Sequence, residues 1–259
     1  MQMVTPGLVL REVRVRESDR ILTILTPEHG IISASAKGSL RLKSKLFSAC
    51  GLFCYSDFSL FGGPAMYRVN DAQVRQVFHG ISASVEAMAL AMYMAEAAIV
   101  MAPSGPEAAA QLRLLLNSLY LAGEGTRDLR QIKAVYELRA MSEGGYMPDL
   151  LCCRQCGRYD GCNFYFDPLS AGLLCEDCAA QAGQQPNLTP SALTAMRHIA
   201  LVEEKRIFSF RLSPRSLWHL GRVTEDYLLT CLERPLKSLE FLNTVLPPEP
   251  PQSTAPAAE

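Results

Sequence analysis

Gly7-Leu8-Val9-Leu10-Arg11-Glu12-Val13-Arg14-Val15 opens a stretch, running on to Ala36, in which apolar and β-branched runs alternate with turn residues. Apolar at its start and alternating at its end, this segment reads as a strand with a buried face. Arg20-Ile21-Leu22-Thr23-Ile24-Leu25 reads as a second strand. It stops at Thr26-Pro27-Glu28-His29-Gly30, where proline presets one turn dihedral and glycine supplies a positive φ. Ile31 to Ala36 gives a third, followed by a polar loop from Lys37 to Lys45. Further on, residues 52–60 give a fourth strand and, past the Gly62-Gly63-Pro64 turn, residues 66–69 a fifth. Five short strands at this spacing suit a small closed or half-closed barrel.

From about Ile81 the period changes to that of helices. Residues 81–102 are rich in Ala and Met on every side and read as a buried helix, broken at Pro103-Ser104-Gly105-Pro106. Residues 107–122 follow with Leu112, Leu115, Leu116 and Leu119 on one stripe, ended by Gly123 and Gly125. Residues 127–143 place Leu129, Ile132, Val135 and Tyr136 inward. After a cysteine-rich stretch, residues 189–202, 213–231 and 236–246 are three more helices. Thr189-Pro190 and Ser213-Pro214 start the first two in the manner of an N-cap followed by proline. Residues 247–259 hold five prolines and no large apolar side chain, so a disordered tail is expected there.

The chain has 259 residues, 49% hydrophobic and 20% charged, which excludes collagen-like and wholly disordered readings. Its formal net charge of −1 argues at first against a protein that grips nucleic acid by bulk charge. That average conceals a gradient. Residues 1–80 carry ten Lys/Arg against six Asp/Glu, a net of +4, which leaves −5 for the remainder. Eight of the ten, namely Arg11, Arg14, Arg16, Arg20, Lys37, Arg41, Lys43 and Lys45, precede Leu46 on strand ends and one loop, where they can converge on one face. Strand alternation puts Arg14 and Arg16 on the same face and Arg11 on the other. A barrel with a basic face and nearby aromatics (Phe47, Phe53, Tyr55, Phe58) can hold a single strand, phosphates by charge and bases by stacking. The competing reading is a solvated barrel surface with these aromatics in its core.

Cys153-Arg154-Gln155-Cys156, then eighteen residues, then Cys175-Glu176-Asp177-Cys178 is the sharpest local motif. Paired thiolates two residues apart can converge on one tetrahedral ion, and the spacing falls in the zinc-ribbon window. Disulfides or free thiols are the alternatives. Cys152 and Cys162 are near enough to replace a neighbour, although Cys152 breaks the paired spacing and Cys162 has no partner two residues away. Four sulfurs close the shell, so one structural zinc per chain is expected rather than a catalytic one. The N-terminus Met1-Gln2-Met3-Val4-Thr5-Pro6 lacks a signal-peptide pattern, which makes a cytoplasmic, reducing setting the default. The most apolar stretch, residues 87–102, contains Glu96 and falls short of the ~20 residues of a bilayer span.

Catalytic chemistry has no named residues. His29, His79, His198 and His219 stand at no metal-ligand interval, and no Gly-x-Ser-x-Gly elbow occurs. Gly38-Ser39-Leu40-Arg41-Leu42-Lys43-Ser44 lacks the glycine that should precede the lysine of a phosphate loop. A protein that binds rather than catalyses is expected.

Taken together, these segments resemble the bacterial RecO family of recombinational repair mediators. The resemblance rests on Gly7-Leu8-Val9-Leu10, Glu17-Ser18-Asp19-Arg20-Ile21-Leu22, Thr26-Pro27-Glu28-His29-Gly30 and Ala36-Lys37-Gly38 with its basic loop ending at Ser44-Lys45. It continues through Tyr136-Glu137-Leu138-Arg139, Gly145-Tyr146-Met147-Pro148, the cysteine pairs with Gly172-Leu173-Leu174 between them, and Pro235-Leu236-Lys237-Ser238. The resemblance implies an α+β chain with an N-terminal OB-fold barrel (1–80), an α-helical domain (81–150 and 185–246) and a zinc-ribbon insert (151–184) held by Cys153, Cys156, Cys175 and Cys178. It further implies a cytoplasmic, nucleoid-associated protein that binds single- and double-stranded DNA and anneals complementary strands. Such a protein assists RecA loading with RecR and, in some pathways, RecF. The helical domain would take the acidic, apolar-tipped C-terminal tail of single-strand-binding protein; Arg113, Arg130 and Lys133 on helix faces could meet such a tail, the competing reading being ordinary solvated helix charges. The other reading is a docking adaptor that binds RecR and that tail with little direct DNA contact.

Overall fold

In the computed structural model, which describes residues 2–63, 65–102 and 108–247, the alternation between Gly7 and Ala36 becomes an antiparallel meander. Its strands are β1 (Gln2–Val15), β2 (Asp19–Thr26) and β3 (Gly30–Ala36). A short helix α1 (Leu46–Ala49) leads to β4 (Cys54–Gly63) and β5 (Met66–Val77). The order β1-β2-β3-β5-β4 closes on itself: β1 pairs antiparallel with β4 from Gln2↔Phe61 to Leu8↔Tyr55, and β3 meets β5 in parallel through Ala34↔Tyr67 and Ser35↔Arg68. This is the OB-fold barrel. Its core packs Val9, Leu22, Ile24, Ile32, Phe58, Leu60 and Val69 against α1's Ala49.

Three details differ from the sequence reading. Leu8, Val9 and Leu10 are all buried, Val9 in the barrel core, on a strand that also carries α2 against it and whose pairing with β2 shifts register between Val9 and Arg11, a bulge that breaks the alternation. The fourth strand starts at Cys54 because Phe53 turns the chain with φ +58. The fifth runs on to Val77 although only Val69 and Ala72 are buried, since pairing with β4 continues to Cys54↔Val77. The Gly62-Gly63-Pro64 turn, the break at residues 103–106 and the tail from residue 248 lie outside the described residues, wholly or in part.

Helix α2 (Val85–Met101), capped by the Ser84 hydroxyl on the Ala87 N–H, packs on β1, and α3 (Ala108–Glu124) packs on β2. Gly123 lies inside α3 rather than ending it. It makes room for the backbone of Gly80, where any Cβ would strike the Gly123 carbonyl. By contacts the chain divides into residues 1–127 and 128–259.

The second unit contains α4 (Leu129–Glu143), the hairpin β6 (Phe164–Asp167) and β7 (Gly172–Cys175), α5 (Glu176–Gln181), α6 (Pro190–Leu201), α7 (Pro214–Leu232) and α8 (Lys237–Val245). Thr189 and Ser213 cap α6 and α7 through the Ala192 and Ser216 N–H groups, as expected. Helix α4 packs on both of these helices, and its polar stripe enters the core as an ion network. Lys133 Nζ lies 2.6 Å from Glu137 Oε1 and 2.8 Å from Glu225 Oε2, while the fully buried Glu137 accepts the Thr224 hydroxyl at 2.7 Å. Burial would push the Lys133 pKa down, but the two carboxylates reverse this and raise it. Among the described residues no helix is long and apolar enough to cross a membrane.

Candidate nucleic-acid interface and metal centre

Two loops at one end of the barrel carry the basic residues, and they are bonded to each other. The β1–β2 turn has Arg16 in a left-handed conformation (φ 56), so Arg16 sits in the turn and does not share a strand face with Arg14. Next to it, the Asp19 carboxylate accepts the Gly38 N–H at 2.7 Å, and the Ser18 carbonyl accepts the Leu40 N–H at 2.9 Å. Gly38 itself has φ +66, which a side chain would strain. The Gly38 N–H lowers the Asp19 carboxyl from its ordinary value against the opposing desolvation penalty, helped by the Ser18 hydroxyl and the charges of Arg16 and Lys37. Arg16 and Lys37 thus flank one carboxylate that ties both loops together.

Arg14, Arg16, Lys37, Arg41, Lys43 and Lys45 are exposed on or beside these loops. Arg11 is exposed too, but stands apart on β1 opposite Thr23. Arg20 is different: it is 6% exposed, with Nε 3.3 Å from Glu12 Oε2 and Nη1 donating to the Phe47 carbonyl at 3.0 Å. Its guanidinium braces α1 and is withheld from solvent, which corrects its inclusion among surface cations. Phe53 and Phe58 are likewise core residues, and Tyr55 lies beneath Arg75, whose guanidinium is 5.6 Å from the ring centre. The sequence reading missed Arg68. It is exposed and pairs with Ser35 just before Lys37, a neighbour that only the parallel β3–β5 pairing creates and that no local motif announces.

The second centre is built by the β6–β7 hairpin and its flanks. The Sγ atoms of Cys153, Cys156, Cys175 and Cys178 all lie within 4.8 Å of one another, with Cys156 and Cys175 3.5 Å apart. A tetrahedral ion with metal–sulfur bonds of ~2.3 Å needs sulfurs ~3.8 Å apart, so the four could hold a metal ion. The first pair is shaped by Gly157 at φ +75, whose N–H donates to the Cys153 carbonyl at 2.9 Å. The second straddles the β7–α5 junction, with Cys175 as the N-cap of α5. Gly172 serves by lacking a side chain, because a Cβ there would meet the Arg154 side chain that crosses it. Burial alone would raise the Cys153 thiol, but the N–H groups of Cys175, Cys156 and Gln155 converge on it and bring it down to about 6. Cys152 and Cys162 are not in the group: Cys162 is buried against the Arg158 guanidinium, and Cys152 is half-exposed. The nine cysteines are all free thiols, so the disulfide alternative falls.

Of the candidate partner contacts, Arg113 is exposed on α3. Arg130 donates through Nε and Nη2 to the Pro247 carbonyl at 3.3 and 3.0 Å. Lys133 is committed to Glu137 and Glu225, so it is not the free helix-face charge expected. It does reach the wall of a cleft of about 240 Å³ in the second unit, lined also by Arg130, Leu217, Trp218 and Arg222. Trp218 and Arg222, one helical turn apart on α7, were not singled out in the sequence, although their spacing is that of neighbours on a helix face. His198 and His219 each engage a backbone carbonyl, of Arg206 at 2.8 Å and of Asn187 at 2.9 Å.

With this geometry in place, comparison with known proteins is informative over nearly the whole chain. Residues 1–78 match the family model described as Recombination protein O N terminal, and residues 83–240 match Recombination protein O C terminal. A protein of Acetivibrio thermocellus named DNA repair protein RecO is 35% identical over 241 residues, covering 93% of this chain and 96% of the relative. Proteins of the same name from Symbiobacterium thermophilum and Dehalococcoides mccartyi are each 30% identical; they cover 92% and 93% of this chain and 96% and 95% of the relatives.

Proposed function

Because the chain belongs to the RecO family of DNA repair proteins, we propose that it is a non-enzymatic repair and recombination mediator that binds single- and double-stranded DNA on its barrel and anneals complementary strands. The observation that carries this reading is the tie between the two basic loops through Asp19–Gly38 and Ser18–Leu40. Cations on separate loops make a phosphate track only if the loops keep a fixed spacing. Arg14, Arg16, Lys37, Arg41, Lys43 and Lys45, with Arg68 beside them and Arg11 further along β1, would neutralise phosphates and release counterions. A second strand then approaches a partly screened first strand, which favours pairing. Arg20 acts from beneath as a positioning residue.

Fluorescence anisotropy with labelled single strands and duplexes across a salt series, followed by a strand-annealing assay, tests this reading. Binding that weakens steeply with salt and faster annealing are expected; absence of salt-dependent binding to either would overturn it. The same titration with a labelled acidic, apolar-tipped peptide examines the adaptor reading, which the Trp218–Arg222 cleft supports through its apolar residues Leu217, Trp218 and Leu246 and the cations Arg130 and Arg222, set beside the carboxylates of Asp128 and Glu225. That cleft would receive the single-strand-binding protein tail. RecR, RecF and the help given to RecA loading rest on the family alone, as does a cytoplasmic, nucleoid-associated location. The four-cysteine centre would hold one zinc ion, which with a closed thiolate shell braces the hairpin and has no position for substrate.

Asp19 separates geometry from charge. Removing a carboxylate from a phosphate track should strengthen DNA binding if only long-range charge counted. Asp19→Ala is instead expected to weaken single-strand binding by about three- to tenfold, because the charge-assisted bond to Gly38 is lost. Asp19→Asn retains an acceptor for that N–H and is expected to bind at least as well as the parent. In acid the bond loses its charge assistance: the carboxyl's pKa is lowered in the folded chain, so that contribution is complete above the ordinary value of 3.8 and disappears as pH falls through the lowered one. Amide exchange at Gly38 reads this directly, with protection weakening as pH falls below the ordinary carboxylate value. Equal binding by the Ala and Asn variants would refute the positioning role.

A further inference from the structure

The basic loop carries two apolar side chains that the barrel does not use. Leu42, between Arg41 and Lys43, is 85% exposed. Phe47, at the second position of α1, is 38% exposed, whereas its neighbours Leu46 and Ala49 pack into the barrel core. Phe47 is also held in place: the Arg20 guanidinium lies over its ring at 5.5 Å and bonds its carbonyl at 3.0 Å, while Glu12 fixes Arg20 from the other side. An aromatic ring held against a buried, anchored cation and partly exposed to solvent is a preorganised stacking surface.

The other three aromatics expected near the basic face are committed elsewhere. Phe53 and Phe58 are buried, and Tyr55 is covered by Arg75. Phe61 is exposed, but it stands on the strand face opposite Gln2 and Arg68 rather than on the loop.

We infer that Phe47 and Leu42 contact unpaired bases, and that this pair gives the loop a preference for single strands over duplex. This rests on the phosphate-binding reading of the same loop and adds the contact that reads strandedness. Phosphates are offered by both forms of DNA, but only an unpaired base has free faces; in a duplex they are already stacked. Lys37, Arg41, Lys43 and Lys45 would therefore set how binding depends on salt, and Phe47 with Leu42 would set how it depends on strandedness.

The test compares Phe47→Ala, Leu42→Ser, their combination and Phe61→Ala with the parent full-length chain. Anisotropy is measured on a labelled oligo-dT single strand and on a duplex of equal length at several salt concentrations. The double variant is expected to lose about tenfold or more in single-strand affinity with an unchanged salt slope, and to bind duplex within about twofold of the parent. Phe47→Trp should retain single-strand affinity, and its added fluorescence should be quenched by oligo-dT but not by duplex. Thermal melting of each variant identifies any loss of fold, in which case Phe47→Trp alone decides. Equal losses on both DNA forms, no loss on either, or a larger loss from Phe61→Ala than from Phe47→Ala would overturn the inference. If the parent shows no salt-dependent binding at all, the phosphate-binding reading fails. Salt-dependent binding that is indifferent to Phe47 and Leu42 removes only the inference drawn from them.

Discussion

Replacing Lys37, Arg41, Lys43 and Lys45 together by alanine is expected to lower single-strand affinity roughly 10²- to 10³-fold at 0.1 M salt, the combined effect of four lost phosphate contacts at ~0.7 unit of salt slope each. A plot of log affinity against log salt should flatten by up to about three units, and the loss should be the same for every sequence tested. The fold has no reason to suffer. All four side chains are exposed, and the bonds that shape the loop use the backbone of Gly38, Leu40, Arg41 and Phe47 and the Ser39 hydroxyl rather than the side chains of the lysines and arginine. An unchanged slope would mean that the phosphate track lies elsewhere on the barrel, with Arg11 and Arg68 the next residues to replace.

Cys175→Ser should have the largest structural effect. Cys175 is fully buried, ends β7 and begins α5, so its sulfur sets the position of Cys178 as well as its own. Structural zinc sites contribute ~10–16 kcal/mol of apparent binding free energy in small zinc domains, far more than strands of four residues can supply for themselves. Metal content after dialysis against a chelator should fall from one equivalent to nearly none, and limited proteolysis should open the segment between residues 151 and 184. Arg197 would then lose its anchorage, since it donates to the carbonyls of Leu150, Leu151 and Tyr159 at 2.7–2.9 Å and stacks 4.0 Å from the Tyr159 ring. The far-UV signal of α4, α6 and α7 should largely persist, because these helices pack on one another, although α7 loses the edge-on contact of Tyr227 with Phe166 of β6. Full metal retention, or unaltered protease resistance, would contradict a structural zinc.

How much was legible in advance depended on distance along the chain. The meander from Gly7 to Ala36 could be read because its information is local: a period of two, then a turn signal. The cysteine pairs could be read for the same reason, since each pair is one turn. Arg20 could not. As one more arginine near the N-terminus it looks like a surface cation, and only Glu12 and Phe47, the latter 27 residues away, reveal it as a buried brace. Lys133 shows both sides of this limit. Its partner Glu137, four residues on, is visible in the helix pattern, but Glu225, 92 residues away, turns a surface pair into a buried network. Gly123 misled in another way: it suggests the end of a helix, and instead lies within α3 against Gly80, where any Cβ would strike the Gly123 carbonyl.

Strand β1 takes part in two pairings of very different reach. Its second half zips to β2 across the short turn at Arg16, whereas its first half must find β4, with Gln2 opposite Phe61 about sixty residues away. Loop-closure entropy makes the first event fast and the second slow. The meander, with Asp19 and Gly38 already at its tip, can therefore assemble before the barrel shuts. During synthesis the basic loops would acquire their mutual geometry on a sheet still open along β1, and the rate-limiting step of folding would be the arrival of β4 and β5 rather than the shaping of the basic surface.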